Sequence, residues 1–191
     1  MFNNIACDLL EGELRTYHSD DSTVADSNNN HYSKESLNKG VISGLPPHEL
    51  KLKVGMPVML LRNLNPPNGL CNGTRLIITK MSERVVECQI AVGEKIGKKV
   101  FIPGLPLIST DINLPYDLKR IQFPLRPAFA MTINKSQGQS LKFVGIWLNE
   151  PVFTHGQLYV AMSRVSSIND IIINLNPNKF TTNNVVYKEA L

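Results

Sequence analysis

Large apolar and polar side chains alternate with period two in RVVECQIAV. Val86, Cys88, Ile90 and Val92 fall on one side; Val85, Glu87, Gln89 and Ala91 fall on the other. That alternation predicts a half-buried strand. VGMPVMLL (54–61), TRLIITK (74–80) and KKVFIPG (98–104) are further short β-rich runs separated by Gly, Pro and Asn. Two Asn-Gly pairs, Asn68-Gly69 and Asn72-Gly73, stand between the first two runs and favour tight turning. Short strands spaced in this way predict a small barrel.

After residue 125 the period changes. PAFAM (127–131) predicts a strand, and FVGIWL (143–148), apolar on both faces, predicts a second. THGQLYVAMSRV (154–165) predicts a helix, because Leu158, Ala161, Met162 and Val165 fall at i, i+3, i+4 and i+7. Thr154 is its expected N-cap. IIINL (171–175) predicts a third strand. Strand, helix and strand with short links make a βαβ unit, hence a parallel sheet covered by helices.

The N-terminal third follows neither period. IACDLLEGELRTY (5–17) reads as a short helix leading into a strand. YHSDDSTVADSNNNHYSKESLNKG (17–40) is nearly devoid of large apolar side chains. Such a segment buries too little surface to offset the entropy of ordering, so it reads as a long loop or a disordered segment. The architecture expected is therefore mixed, with a barrel inserted into an α/β domain whose other pieces lie in residues 1–45.

Composition adds constraints. Of 191 residues 42% are hydrophobic, enough for a real core. No apolar run approaches the roughly 18–20 residues of a membrane span. The first 13 residues carry acids and no Lys or Arg, unlike a secretory signal or transit peptide. Cys7, Cys71 and Cys88 are odd in number and form no CxxC, which argues against a disulfide scaffold or a zinc site and for a reducing compartment. His18, His31, His48 and His155 have no metal-ligand spacing, so no metal site is expected. Residues 1–45 hold three Lys/Arg against seven Asp/Glu, and residues 46–191 hold 17 against nine. A basic body suits a polyanion, although many soluble domains are mildly basic without one.

One polar stretch interrupts the apolar C-terminal third. TINKSQGQS (132–140) sits between AFAM and LKFVGIWL. Beyond the carboxyl end of a strand, ligands collect in open α/β sheets. A short helix over 132–137 would set Thr132, Lys135 and Ser136 on one face, with Gly138 as its stop. Two hydroxyls, an ammonium and backbone N–H groups suit phosphate oxygens. On the 154–165 helix, Gln157 and Arg164 are seven residues apart and project from nearly one side. An arginine at the end of a packed helix can reach a transition-state phosphate, or can serve merely as a C-terminal cation on the helix dipole.

TINKSQGQSL followed by HGQLYVAMSRV resembles the last two signature motifs of superfamily-one DNA helicases, in the Pif-type (petite integration frequency) branch. GLPPHELKLKVGMPVMLLRNLNPPNGLCNGTRLIITKM resembles that branch too, especially the Helitron subgroup, and LLEGELRTYHSDDS resembles the family segment before it. The resemblance implies an α/β fold: an incomplete RecA-like parallel sheet domain with an inserted small SH3-like β-barrel. Its implied division is 1–74 for the start of the second RecA-like domain, 75–122 for the barrel and 123–191 for the remainder. It implies that Thr132, Asn134, Lys135 and Ser136 face single-stranded DNA. It implies that Gly138, Gln139, Gln157 and Tyr159 lie by the nucleotide and that Arg164 contacts the γ-phosphate. The family often has histidine where this chain has Asn134; asparagine can hydrogen-bond a phosphate but carries no charge. Lys95, Lys98 and Lys99 read as a solvated hairpin tip rather than a DNA contact.

The same resemblance implies a monomeric, ATP- and Mg2+-dependent DNA helicase acting five-prime to three-prime on single-stranded and forked DNA. Its implied settings are repair, recombination and telomere maintenance, in the nucleus or the mitochondrion. These 191 residues contain no GxxxxGK[ST] phosphate loop and no obvious paired-carboxylate strand end. Both belong to a first RecA-like domain. The Mg2+ ligands are expected there, and ATP hydrolysis by this chain alone is expected to be negligible. The alternative is a non-catalytic nucleic-acid-binding remnant of a transposon-derived helicase.

Overall fold

Period-two burial builds the principal sheet of the N-terminal region. In the computed structural model, which describes residues 2–24, 32–39, 42, 44–109, 116–176 and 181–190, the chain divides into two units, 1–130 and 131–191. The first begins with α1 (Phe2–Leu9), β1 (Arg15–His18), β2 (Asp20–Thr23), α2 (Lys34–Asn38), β3 (Glu49–Leu52) and β4 (Pro57–Leu60). It continues with β5 (Arg75–Met81), β6 (Val85–Ile90), β7 (Lys99–Pro103), β8 (Leu105–Ser109), β9 (Leu118–Gln122) and β10 (Leu125–Pro127).

Strands β10-β4-β5-β6-β7 form an antiparallel sheet. Leu76 and Ile78 of β5, Val86, Cys88 and Ile90 of β6, and Val100 and Ile102 of β7 all point into one core. The alternation read from RVVECQIAV is the observed one over Val85–Ile90; the strand ends there, and Ala91 and Val92 are both partly buried. Each fully buried Leu, Ile or Val contributes about 1.5–3 kcal/mol by leaving water. The β5–β6 register slips between Ile78 and Lys80, where the Thr79 hydroxyl bonds the Glu87 carbonyl (3.1 Å) and carboxylate (2.9 Å). The loop from β4 to β5 uses both Asn-Gly pairs, with φ of +81° at Gly69 and +91° at Gly73. The sheet draws β4 and β10 from either side of residues 75–122. Smaller antiparallel sheets pair β1 with β3 and order β2-β9-β8.

Two expectations require correction here. Within 17–40 the described residues contain the end of β1, β2 and α2, not a continuous loop; residues 25–31 and 40 lie outside the described residues. A buried ion pair crosses the segment. Arg120, 1% exposed, forks onto Asp21 through Nε–Oδ1 (2.9 Å) and Nη2–Oδ2 (2.6 Å). It also donates to the carbonyls of Pro46 (2.9 Å) and Leu37 (3.3 Å). The Ser19 hydroxyl donates to Asp21 Oδ1 (2.7 Å). This buried, bidentate pair fixes the geometry of the segment, and Leu37, with Tyr32 beside it, anchors it in an apolar cluster with Leu45, Leu107 and Leu118.

PAFAM is not a strand. β10 ends at Pro127, and the next residues bend. The Asn3 carboxamide takes both polar groups of Ala130, donating to its carbonyl (3.0 Å) and accepting from its N–H (2.8 Å). A side chain fills the place of a neighbouring strand.

The second unit contains β11 (Val144–Leu148), α3 (Gln157–Met162) and β12 (Ile171–Leu175). β11 and β12 are parallel, from Val144 opposite Ile171 to Leu148 opposite Leu175. The βαβ unit is as expected. Ile146, Leu148, Val152 and Ala161 are its buried centre, with Ile133, Leu158 and Val185 packed around them. α3 is shorter than 154–165, and Thr154 is not its cap. Gly156 takes that position at φ +72°, which ordinary side chains avoid, and Ser163 closes the other end by donating its N–H to Tyr159. Among the described residues no helix is long and apolar enough to cross a membrane.

Candidate functional site

The polar stretch 132–140 opens the second unit, and its backbone decides which side chains face out. Ile133–Ser136 is a 3-10 turn preceded by Thr132 in extended conformation. Three residues per turn eclipse Thr132 and Lys135 but rotate Ser136 a third of a turn away. The side chains of Thr132, Asn134 and Lys135 are exposed, whereas Ile133 packs into the core. The expected single face of Thr132, Lys135 and Ser136 is therefore corrected. Ser136 is buried, and its hydroxyl donates to the Ile133 carbonyl at 2.6 Å.

The turn ends through backbone bonds from Gln137 to Asn134 (3.4 Å) and from Gln139 to Ser136 (3.1 Å). Gly138, the expected stop, has φ +77°, and a Cβ there would meet no atom within 4 Å. Its role is purely conformational. The Gln139 side chain folds back, with Nε2 donating to the Lys135 carbonyl (3.0 Å). Its Oε1 is buried with no partner among the described residues.

Arg164 joins this turn to α3. It lies just beyond the helix, partly buried. Nε donates to the Val160 carbonyl (2.7 Å), and Nη2 to the Ser163 hydroxyl (2.7 Å). Nη1 donates to the carbonyls of Ser136 (3.3 Å) and Gln139 (3.1 Å). A backbone bond from Leu141 N–H to the Arg164 carbonyl (2.8 Å) fastens the same two segments. The two motifs read separately from the sequence are thus one constellation.

The remaining expected residues divide. Gln157 is buried, and its Oε1 accepts the Phe153 N–H (3.0 Å), so it shapes the entrance of α3. Tyr159 is 73% exposed. Ser163 was missed by sequence reasoning; standing next to an arginine gives no signal that its hydroxyl will hold the guanidinium. Lys98, in the first unit, donates to Asn68 (2.7 Å), and Lys99 pairs with Glu87 (3.4 Å). Among the described residues no three His, Cys, Asp or Glu side chains converge on a common point.

Chemically, the second unit offers an exposed hydroxyl, amide and ammonium on one turn, backed by a guanidinium at the edge of the same turn. Such a set recognises phosphate oxygens by charge and by planar hydrogen bonding.

Residues 35–81 match the family described as DNA helicase Pif1, 2B domain, and residues 121–189 match the herpes helicase family, described as Helicase. Over 125 residues the chain is 38% identical to ATP-dependent DNA helicase PIF1 of Rattus norvegicus, a match covering 62% of this chain and 18% of that protein. ATP-dependent DNA helicase Pif1 of Bdellovibrio bacteriovorus is 34% identical over 130 residues, covering 68% of this chain and 28% of that protein. The crystal structure of Pif1 helicase from Candida albicans superimposes with a TM-score of 0.65 at 25% identity, over 90% of this chain and 41% of that one. Pif1 helicase from Bacteroides in complex with ADP-AlF3 and ssDNA gives 0.60 at 26% identity, over 91% and 37%. The chain spans less than half the length of each of these proteins.

Proposed function

The chain belongs to the Pif1-type DNA helicases and carries their C-terminal part, and from that premise we propose that it is the strand-gripping and lid-forming half of an ATP-driven motor. A first RecA-like domain, outside these 191 residues, supplies the phosphate loop and the Mg2+ ligands. Arg164 is the residue that stabilises charge on the γ-phosphate held there. Thr132, Asn134 and Lys135 contact the backbone of single-stranded DNA, and Gly138, Gln139, Gln157 and Tyr159 shape the nucleotide's side of the turn. Ser136 supports that surface from within. The five-stranded antiparallel sheet of the first unit is read as belonging to the SH3-like module. Repair, recombination and telomere maintenance, in the nucleus or mitochondrion, are the settings we propose.

One observation carries the reading: the Arg164 guanidinium hydrogen-bonds the very turn that presents Lys135 and Thr132. Nucleotide and strand contacts then share one rigid element, so a change at either is felt at the other. Charge stabilisation by such an arginine requires a nucleotide bound by other groups. This chain supplies no cradle, so it hydrolyses ATP negligibly by itself.

The test is binding of the whole chain to labelled oligothymidylate across a salt series, with an ATPase assay alongside. Weak binding is expected, with a logarithmic salt slope of about −0.7 for each strand phosphate neutralised. Lys135→Ala should weaken binding and flatten that slope by about one contact. Salt-insensitive binding, or none at low ionic strength, overturns the strand-gripping assignment. Because the chain has no phosphate loop, a remnant that binds nucleic acid without catalysis is the second reading. Restoration of DNA-stimulated ATPase by a first RecA-like domain separates the two.

A further inference from the structure

Arg164 does more at this site than wait for a nucleotide: we infer that it is the positioning residue of the strand-facing turn, acting through the carbonyls of Ser136 and Gln139. The inference rests on the proposed function and extends it. A guanidinium has five N–H groups, and four of them have partners here: Nε on Val160, both of Nη1 on Ser136 and Gln139, and one of Nη2 on Ser163. The two carbonyls capped by Nη1 lie at the end of the 3-10 turn and just after Gly138. They bracket the left-handed residue where the turn is weakest.

Without Nη1, the described contacts that hold this bracket are the backbone bond from Gln139 N–H to Ser136, the Gln139 side chain on Lys135, and the Leu141–Arg164 backbone bond. The turn's outward residues, Thr132, Asn134 and Lys135, are the ones assigned to the strand. Their spacing depends on the turn keeping its shape.

The geometry also makes two duties compete. Bidentate recognition of a phosphate needs two N–H groups on one edge of the guanidinium. With Nη1 on two carbonyls and Nε on Val160, every edge already has an engaged member. A phosphate can be forked only when at least one of these bonds opens, and the 3.3 Å contact to Ser136 is the longest. Leaving Ser136 relaxes the bracket, so phosphate capture and strand grip oppose each other through a single side chain, reciprocally. The return of Arg164 to the carbonyls restores the grip.

The positioning role is tested on the whole chain with no nucleotide present, where a residue reserved for phosphate would be silent. Arg164→Lys keeps the charge and cannot cap both carbonyls. It is expected to speed amide exchange at Gln139 and to weaken oligothymidylate binding, each by about tenfold. Ser163→Ala removes one bond to Nη2 but keeps both caps, so its effect on exchange at Gln139 is expected to be smaller than that of Arg164→Lys; an equal or larger effect overturns the inference. Retention of the parent's circular dichroism identifies variants that fold. Parental exchange at Gln139 in Arg164→Lys overturns the inference. If Lys135→Ala leaves DNA binding untouched, the strand reading is what fails, and the exchange rates still decide the role of Arg164.

Discussion

Arg120 in the first unit and Arg164 in the second both meet backbone carbonyls, yet only Arg120 meets a carboxylate among the described residues. Arg120 is sealed in, forked onto Asp21 and 1% exposed. Arg164 stands partly open, and its described partners are neutral oxygens. A carboxylate in a dry site holds its partner permanently, because separating the two leaves an uncompensated charge. Neutral carbonyls hold a guanidinium well enough to order it and weakly enough to release it. The first unit buries its arginine against a charge; the second holds its arginine, among the described contacts, by neutral oxygens.

The contrast has measurable consequences. Asp21→Ala strands Arg120 in the interior and should cost the first unit about 3–5 kcal/mol by denaturant titration. Replacing both partners together with apolar residues of similar volume should recover most of that. A loss under about 1 kcal/mol for Asp21→Ala would mean that the pair is not the lock described. Gly138→Ala should cost the second unit about 1–2 kcal/mol, from its positive φ alone, since the site has room for a methyl group. An unchanged melting curve would show that the turn relaxes without penalty.

The alkaline limb of stability should belong to the first unit. Burial, with a smaller contribution from the Glu87 carboxylate, pushes the Cys88 thiol from 9.0 up to about 12. The unfolded chain releases that proton first, so the stability is complete below pH 9 and declines as pH rises toward 12. Cys88→Val should flatten the decline in a pH series of denaturant midpoints; an identical slope would exclude the thiol as its source. The smallest effect is expected at Lys34, whose 3.4 Å pair with Asp20 lies on the surface. Lys34→Ala should change stability by less than about 0.5 kcal/mol in the same titration.

Periodicity gave away the parts of the molecule that obey local rules. β6 alternates because one side of it faces a core, and β11, α3 and β12 follow one another because a parallel pair needs a crossover. Of the motif residues, Arg164 meets the 132–140 turn, at the carbonyls of Ser136 and Gln139. What stayed hidden was long-range and polar. Asp21 and Arg120 are 99 residues apart, and nothing in DDST announces a buried partner. Asn3 replacing a strand beside Ala130 is equally invisible, since an apolar run reads as strand whether or not its backbone groups pair. α3 is trimmed by Gly156, whose positive φ a stripe of apolar residues cannot reveal. Ser136 turned inward because a 3-10 turn rotates residues differently from the α-helix assumed for its spacing.

The chain has a single tryptophan, Trp147, on β11, and the residue is 53% exposed. On the same face of the parallel pair, Ile172, opposite Gly145, is 59% exposed. Indole emission therefore reports on the second unit. Shifts in its colour will follow the unfolding of that parallel pair.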